Sequence, residues 1–232
     1  GLLIRLSLVR AQLGEPYSKK AAAFDEVGGF FMEVVMTVQI FRLTGNDILP
    51  YLDDVAQLRI QVFRTFPYLY EGSMAYEQRY LSTYANSPDS VFVLAQDDDR
   101  VVGAATAIPM AHETDEFKQP FVDRGYDPER IFYFGESVLL PAYRGQGIGV
   151  AFFDHREARA RELGGFTHCC FCAVERPEDH PARPDNYQPL DSFWRNRGYQ
   201  PVPGLTTGYA WTDVGDQEQT TKPMQFWIRR LS

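Results

Sequence analysis

A cluster of glycines in the segment 143–149 is the feature of this sequence that most directly implies chemistry. The segment reads Tyr-Arg-Gly-Gln-Gly-Ile-Gly and is followed at once by a helical pattern over 150–163. Glycine lets the backbone approach a ligand closely, and the first amides of a helix have no partner within the helix. The helix dipole adds partial positive charge at the same point. We therefore predict that this loop binds a phosphate or pyrophosphate group.

The spacing of the glycines disfavours the two commonest nucleotide-binding loops. A dinucleotide fingerprint, G-x-G-x-x-G, that began at Gly145 would need its third glycine at Val150, and a P-loop would need Lys and then Ser or Thr where Val-Ala follows Gly149. The segment instead resembles the Arg/Gln-x-x-Gly-x-Gly/Ala signature of the GNAT superfamily of acyl-CoA N-acyltransferases, which Arg144, Gly147 and Gly149 match. An ordinary glycine-rich turn between a strand and a helix is the alternative.

The strand-like run 131–140, ended by Pro141, stands where the GNAT family enters its cofactor site. In that family this strand separates from the next one, and the gap admits the pantetheine arm of acetyl-CoA. The resemblance implies that backbone groups of Val138, Leu139 and Leu140 pair with this arm, and that acetyl-CoA is the co-substrate, with no metal ion. It also implies that the pyrophosphate is held by six consecutive residues: Arg144, Gly145, Gln146, Gly147, Ile148 and Gly149.

Acyl transfer to an amine requires a neutral nucleophile, so a base must take a proton from the ammonium form. Glu136 is the candidate base, because it lies two residues before the pantetheine segment on a strand of otherwise apolar and aromatic residues. Such surroundings disfavour a charged carboxylate and so favour proton uptake near neutral pH. Alternatively, Glu136 only holds a neighbouring loop through hydrogen bonds.

The resemblance also predicts where a general acid would lie. Many members of the family donate a proton to the leaving CoA sulfur from a tyrosine that follows a phenylalanine, and Trp194 stands at that position after Phe193. An indole N–H can donate a hydrogen bond to sulfur but cannot act as an acid. We expect Trp194 either to contact the cofactor or to pack in the core, with Tyr187 as the nearest replacement for the acid.

The charge balance limits the possible partners. The 232 residues include 23 Lys and Arg against 31 Asp and Glu, a formal net charge of −8. This surplus argues against nucleic acid or an anionic membrane as a partner and favours a cationic one. We expect a small-molecule or peptide amine as the acceptor, and the pattern leaves the oligomeric state open, a homodimer included. Residues that suit a cationic amine are Phe66, Tyr68, Tyr70 and Glu71.

The cysteines indicate a reducing compartment. Cys169, Cys170 and Cys172 are an odd number within one segment, which does not suit a secreted disulfide framework. On a strand Cys169 points away from the other two, so the three thiols cannot converge on one metal ion. We expect buried structural thiols in a cytoplasmic protein. The sequence contains no run of about 18 apolar residues, so we expect no membrane span.

The order of predicted elements also agrees with the GNAT family. The resemblance implies an α/β fold, with a mixed central β-sheet that is splayed at the cofactor site and flanked by helices. A domain over 36–232 follows an N-terminal extension over 1–35, whose amphipathic start at 1–12 is interpreted as part of the extension rather than a targeting signal. Predicted strands cover 38–43, 91–95, 101–108, 131–140, 166–174, 209–214 and 224–231, and predicted helices cover 49–66, 73–84, 150–163 and 190–197.

These patterns support one leading hypothesis and leave two alternatives. The leading hypothesis is an acetyl-CoA-dependent N-acetyltransferase that acts on a primary amine. A catalytically silent module of the same fold, which binds acyl-CoA as a sensor or interaction partner, is kept open by Trp194 in place of the tyrosine. The third possibility is an enzyme with a different phosphate ligand.

Overall fold

A mixed sheet of eight strands runs through the protein in the order β1-β2-β3-β4-β5-β6-β8-β7. The computed structural model describes residues 17–20 and 35–232, with side chains from Val38 onward. Every neighbouring pair of strands is antiparallel except β5 and β6, which are parallel. The strands are β1 (Tyr17–Lys20), β2 (Val35–Leu43), β3 (Val91–Asp97), β4 (Arg100–Pro109), β5 (Ile131–Leu139), β6 (His168–Val174), β7 (Gln200–Thr212) and β8 (Gln219–Arg230).

Helices cover the centre of this sheet. Consecutive residues of a strand point to opposite faces, and Val91 to Ala95 of β3 are all fully buried, so both faces are covered there. The helices α1 and α2 pack together, α1 also packs on β4 and β5, and α4 packs on β3 and β5. The helices are α1 (Leu52–Phe63), α2 (Met74–Ala85), α3 (Asp115–Val122), α4 (Ile148–Leu163) and α5 (Asp191–Asn196).

The sheet opens between β5 and β6. The two strands pair only from Ile131 to Tyr133, while β6 continues alongside β8 as far as Val174. On its other side β5 stays paired with β4 up to Leu139. The C-terminal half of β5 therefore has no strand beside it on the β6 side in the described part of the chain. This confirms the predicted α/β class and its splayed mixed sheet.

Several element boundaries differ from the predicted ones, and three of the differences concern β1, α1 and β7. The segment predicted as an N-terminal extension contains β1, which pairs with β2, while positions 1–16 and 21–34, including the amphipathic start, lie outside the described residues. The first helix begins at Leu52 because a 3-10 turn with Pro50 inside it precedes the helix. β7 begins at Gln200, well before its predicted start, because its pairing with β8 continues through a register shift between Pro201 and Thr206. The proline and glycine residues of this stretch disfavour a strand, so the sequence pattern does not predict one there.

Among the described residues, no helix is both long enough and apolar enough to cross a bilayer.

Candidate active site

The glycine loop forms the start of α4 and presents a row of free amides. Gly145 and Gly147 adopt φ angles of +73° and +86°, in the left-handed region where side chains are strained, and Gly147 caps the helix without any side-chain bond. The backbone N–H groups of residues 145–149 donate to no described backbone or side-chain acceptor. Val150 is the first residue whose N–H is bonded, to the Gly147 carbonyl at 2.9 Å. Five consecutive amides are thus available to an anion.

The free edge of β5 lies beside this loop. The N–H of Leu140 donates to the carbonyl of Val102 on β4 at 3.0 Å. Because backbone groups alternate along a strand, the N–H and C=O of Leu139 point the other way, into the gap between β5 and β6. The Leu139 carbonyl accepts a bond from the Nε of Arg144 at 3.2 Å. Of the three residues expected to pair with pantetheine, Leu139 has its backbone toward the gap, whereas Val138 and Leu140 pair with β4.

Glu136 lies in a bulge of β5, where Gly135 and Glu136 together oppose Thr106 of β4. A bulge bends the strand and redirects a side chain, and the Glu136 carboxylate is directed to a buried arginine of α1. Arg59 lies 2.7 Å from Glu136 Oε2 and also bonds the buried carboxylate of Glu77. The other oxygen, Oε1, is buried and has no partner among the described atoms. The surroundings of Glu136 therefore contain a cation that the apolar strand pattern did not predict.

The Arg59 guanidinium is itself held firmly in this cluster. Its central carbon lies 4.2 Å from the ring centre of Tyr80 and 5.1 Å from that of Phe63. Burial alone would lower the pKa of Arg59, but the charge of Glu136 and the hydrogen bond to Glu77 contribute to raising it well above its usual value. The arginine is thus a permanent cation that lies between the carboxyl groups of Glu77 and Glu136.

A cleft lies beside Glu136 and Arg59, which form part of its lining. Aromatic rings from the α1–α2 region, α3 and the closing strands form most of its wall. Tyr68 and Tyr70, which were expected near the acceptor, line this cleft, whereas Phe66 packs against Tyr187 at 4.7 Å and Glu71 pairs with Arg64 at 2.6 Å on the surface. The aromatic residues of the lining are Phe63, Tyr68, Tyr70, Tyr76, Tyr80, Phe117, Tyr133, Tyr209 and Trp211.

The two residues expected near the CoA sulfur lie in different surroundings. Trp194 on α5 packs against Phe171 and Trp227, with ring centres 5.1 and 4.9 Å apart. Tyr187 is half-buried outside the lining of the cleft, and burial raises its pKa while the charge of Arg183 acts in the opposite direction. The contacts of Trp194 are those of a packing residue.

A second buried arginine, Arg156 of α4, supports the bulge from the opposite helix. Its Nη1 donates to the carbonyls of Glu136 at 3.1 Å and Thr106 at 3.4 Å. Its guanidinium lies 4.2 Å from the ring centre of Phe134. Burial lowers the pKa of Arg156 to about 10. The arginine therefore satisfies the carbonyls that the bulge leaves without strand partners.

Sequence analysis missed Arg59, Glu77 and Arg156, although one signal was present. Each occupies a position on the apolar face of its helix. Arg59 lies three and four residues after buried Ala56 and Val55, Glu77 lies four before buried Leu81, and Arg156 lies four after buried Phe152. A charged residue at such a position must be paired or hydrogen-bonded, because an isolated buried charge is costly. The three cysteines, by contrast, are free and buried as predicted.

Comparison with known proteins agrees with this geometry. The sequence model of the Acetyltransferase (GNAT) family matches residues 55–184, which is more than half of the chain. The chain belongs to the GNAT family. In this GNAT protein the match spans the glycine loop, Glu136, the whole of α2 and α1 from Val55 onward. No curated protein sequence matches it significantly.

Solved structures of the GNAT fold align with most of the chain. Arabidopsis thaliana NAA60, in complex with a bisubstrate analogue, has a TM-score of 0.53 at 12% identity, over 83% of this chain and 99% of that chain. A ribosomal-protein-alanine N-acetyltransferase from Brucella melitensis has a TM-score of 0.53 at 15% identity, over 83% and 99%. The protein yncA from Salmonella typhimurium, solved with its cofactor acetyl-CoA, has a TM-score of 0.51 at 9% identity, over 83% and 94%. At such low sequence identity, these structural alignments show a shared fold and nothing more specific.

Proposed function

We propose that this GNAT protein is an acetyl-CoA-dependent N-acetyltransferase that acts on a primary amine of a small molecule or peptide. The observation that carries the proposal is the row of free amides at residues 145–149 beside the gap between β5 and β6. Such amides suit the pyrophosphate of CoA, and the Leu139 N–H, which points into the gap, suits an extended amide-bearing arm. Acetyl-CoA, when bound, supplies an activated acetyl thioester.

In this proposal Glu136 takes the proton of the acceptor ammonium. Its Oε1 is buried, without a described partner, on a residue that lines the cleft. An unpartnered buried carboxylate oxygen favours a hydrogen-bond donor, and an ammonium group is a strong one. Arg59 fixes the other oxygen at 2.7 Å, so the carboxylate orientation is set before the amine binds.

The cleft favours an acceptor with an apolar or aromatic body and a single cationic group. Its wall is mainly aromatic, and ring faces attract cations as well as apolar groups. Arg59, the cation in the described lining, is already engaged with Glu136 and Glu77. An acceptor carboxylate would therefore enter without a free cationic partner and close to Glu136.

The experiment that tests this proposal compares Glu136→Gln with Glu77→Gln. Both substitutions remove a carboxylate charge that pairs with Arg59, but only Glu136 lines the cleft. CoA release is followed with a panel of primary amines over a range of pH. We expect Glu136→Gln to lower kcat by about 100-fold or more, with KM for acetyl-CoA unchanged, because general-base catalysis typically contributes that much.

The control decides between a base and a structural role. If Glu77→Gln lowers kcat as much as Glu136→Gln, or if Glu136→Gln keeps the acid limb of the wild-type profile, Glu136 only supports the fold around Arg59. Wild-type protein that binds acetyl-CoA but acetylates no amine would favour the second candidate, a catalytically silent acyl-CoA-binding module. The packing of Trp194 against Phe171 and Trp227 is the observation that keeps this candidate.

Tyr187, which packs against Phe66 outside the lining of the cleft, is kept as the candidate acid. The three free, buried thiols support a reducing, cytoplasmic location.

A further inference from the structure

A chain of hydrogen-bonding side chains leads from Glu136 to a second carboxylate. The Tyr80 hydroxyl lies 3.3 Å from Glu136 Oε2 and 3.2 Å from the Tyr84 hydroxyl. The Tyr84 hydroxyl in turn donates to Glu113 Oε1 at 2.6 Å. Tyr80 is partly exposed where it lines the cleft, whereas Tyr84 is 1% exposed, so the chain enters the protein interior from the cleft. It connects the floor of the cleft with the loop that follows β4.

Glu113 stands at the end of the chain that lies away from the cleft, since it is not among the lining residues. It is 8% exposed, and both of its neighbours in sequence are exposed. Burial raises the pKa of Glu113, with a further upward contribution from the charge of Glu136. The hydrogen bond from Tyr84 and the charge of Lys118 act in the opposite direction, and the net change is upward. Glu113 thus holds a proton more readily than an exposed glutamate does, and its exposed neighbours place it close to the protein surface.

We propose that Tyr80, Tyr84 and Glu113 form a relay that carries the acceptor's proton away from Glu136. The relay rests on the proposed function, because it requires Glu136 to gain a proton in each turnover. A base in the lining of the cleft needs such an exit when an acceptor fills the cleft and displaces water from its carboxylate. The relay restores the ionised Glu136 before the next amine binds.

The proton transfer balances without any change in bonds to carbon. An ammonium proton moves to Glu136, and the neutral carboxyl loses its charge interaction with Arg59, so it can turn its O–H toward the Tyr80 oxygen. Tyr80 accepts this proton and gives its own to Tyr84, and Tyr84 gives its own to Glu113. Glu136 ends as a carboxylate, Glu113 ends as a carboxylic acid, and both tyrosines stay neutral.

The tyrosines must act together rather than one after the other. Burial raises the pKa of Tyr80 and of Tyr84 well above the usual value, so a tyrosinate intermediate is costly. When both carboxylates are ionised, each hydroxyl donates to its own carboxylate, and no proton lies between the two tyrosines. Protonation of Glu136 reverses the Tyr80 hydroxyl and makes the chain continuous in one direction.

Two substitutions interrupt the relay at different points. Tyr84→Phe removes the middle hydroxyl and leaves the contact between Tyr80 and Glu136. Glu113→Gln keeps an oxygen that accepts the Tyr84 hydrogen bond but cannot accept a proton. Tyr199→Phe is the matched control, because Tyr199 is equally buried and donates to a buried carboxylate, Glu157 at 3.0 Å, away from the cleft.

The test measures kcat, KM for both substrates and the rate in mixtures of H2O and D2O, using an amine that the wild-type protein acetylates. We expect Tyr84→Phe and Glu113→Gln each to lower kcat by about 10-fold or more with both KM values kept, since proton transfer is the affected step. The dependence on deuterium content should be curved in the wild type, where several protons move together, and closer to linear in both variants. The control should match the wild type.

The relay is wrong if either variant keeps the wild-type kcat and the curved isotope dependence. A variant that loses thermal stability but keeps these kinetics would show that the substituted residue has only a structural role. Wild-type protein that acetylates no amine would instead refute the proposed function, and the relay with it. A protein whose wild type is active while Glu113→Gln is unaffected refutes the relay alone.

Discussion

The phosphate-binding role of the glycine loop can be tested by placing a carboxylate within it. Gly147 has a φ angle of +86° and begins α4 without a side-chain cap. A residue other than glycine at such an angle costs about 1–2 kcal/mol, so Gly147→Glu should remain folded. A carboxylate about 4 Å from the phosphates would repel each unit of charge by about 4 kcal/mol at the effective dielectric of a protein surface. That energy corresponds to a loss of affinity of about 1000-fold.

Gly164→Glu provides the matched control for this substitution. Gly164 ends the same helix with a φ angle of +73°, and an added Cβ would meet no atom within 4 Å. A carboxylate at the C-terminus of a helix is also unfavourable, so the control should be at least as unstable as Gly147→Glu. Acetyl-CoA binding is measured by isothermal titration, and stability by urea unfolding. We expect only Gly147→Glu to lose affinity, and equal affinity in Gly147→Glu and wild type would refute the assignment of the loop.

Three further predictions follow from the surroundings of the cleft. Arg59→Met leaves two buried carboxylates without their cation and should lower the free energy of unfolding in urea by about 3–5 kcal/mol. For Asp213, burial acts to raise the pKa, but the hydrogen bonds from Arg176 and Lys222 lower it overall. The ion pairs of Asp213 therefore stabilise the fold at pH values above the unfolded pKa, and this stability is lost as the pH falls through the folded pKa. Asp213→Asn should therefore be less stable than wild type at neutral pH and show a flatter loss of stability below about pH 4. Finally, phenethylamine should give a higher kcat/KM than phenylalanine, because the guanidinium in the described lining is already engaged with Glu136; the opposite preference would contradict the acceptor chemistry proposed for the cleft.

Much of the fold was predictable because it depends on local patterns. The continuous apolar run of β3 and the glycine loop before α4 are both visible in the sequence, and both appear in the structure where expected. The early part of β7 was not predictable, since its proline and glycine residues disfavour strands and only pairing with β8 reveals it. β1 was hidden for a related reason, as a strand of four residues carries little pattern of its own.

The chemistry of the site divides in the same way. The predicted anion-binding loop consists of residues adjacent in sequence, so their spacing was enough to propose it. The environment of Glu136 depends on Arg59, Tyr80 and Arg156, which come from three different helices. No local pattern predicts that these side chains meet at one bulge of β5. Their charges and hydroxyl groups on otherwise apolar helix faces were the available sign that a buried polar network exists.

The most direct test of the proposed function is to incubate the protein with acetyl-CoA and an aromatic primary amine and to identify the products by mass spectrometry. The proposal predicts an amine carrying one acetyl group, formed in equal amount to free CoA and dependent on Glu136. Acetyl-CoA that binds the protein but yields only the free CoA of a hydrolysis blank, with every amine unchanged, would contradict it.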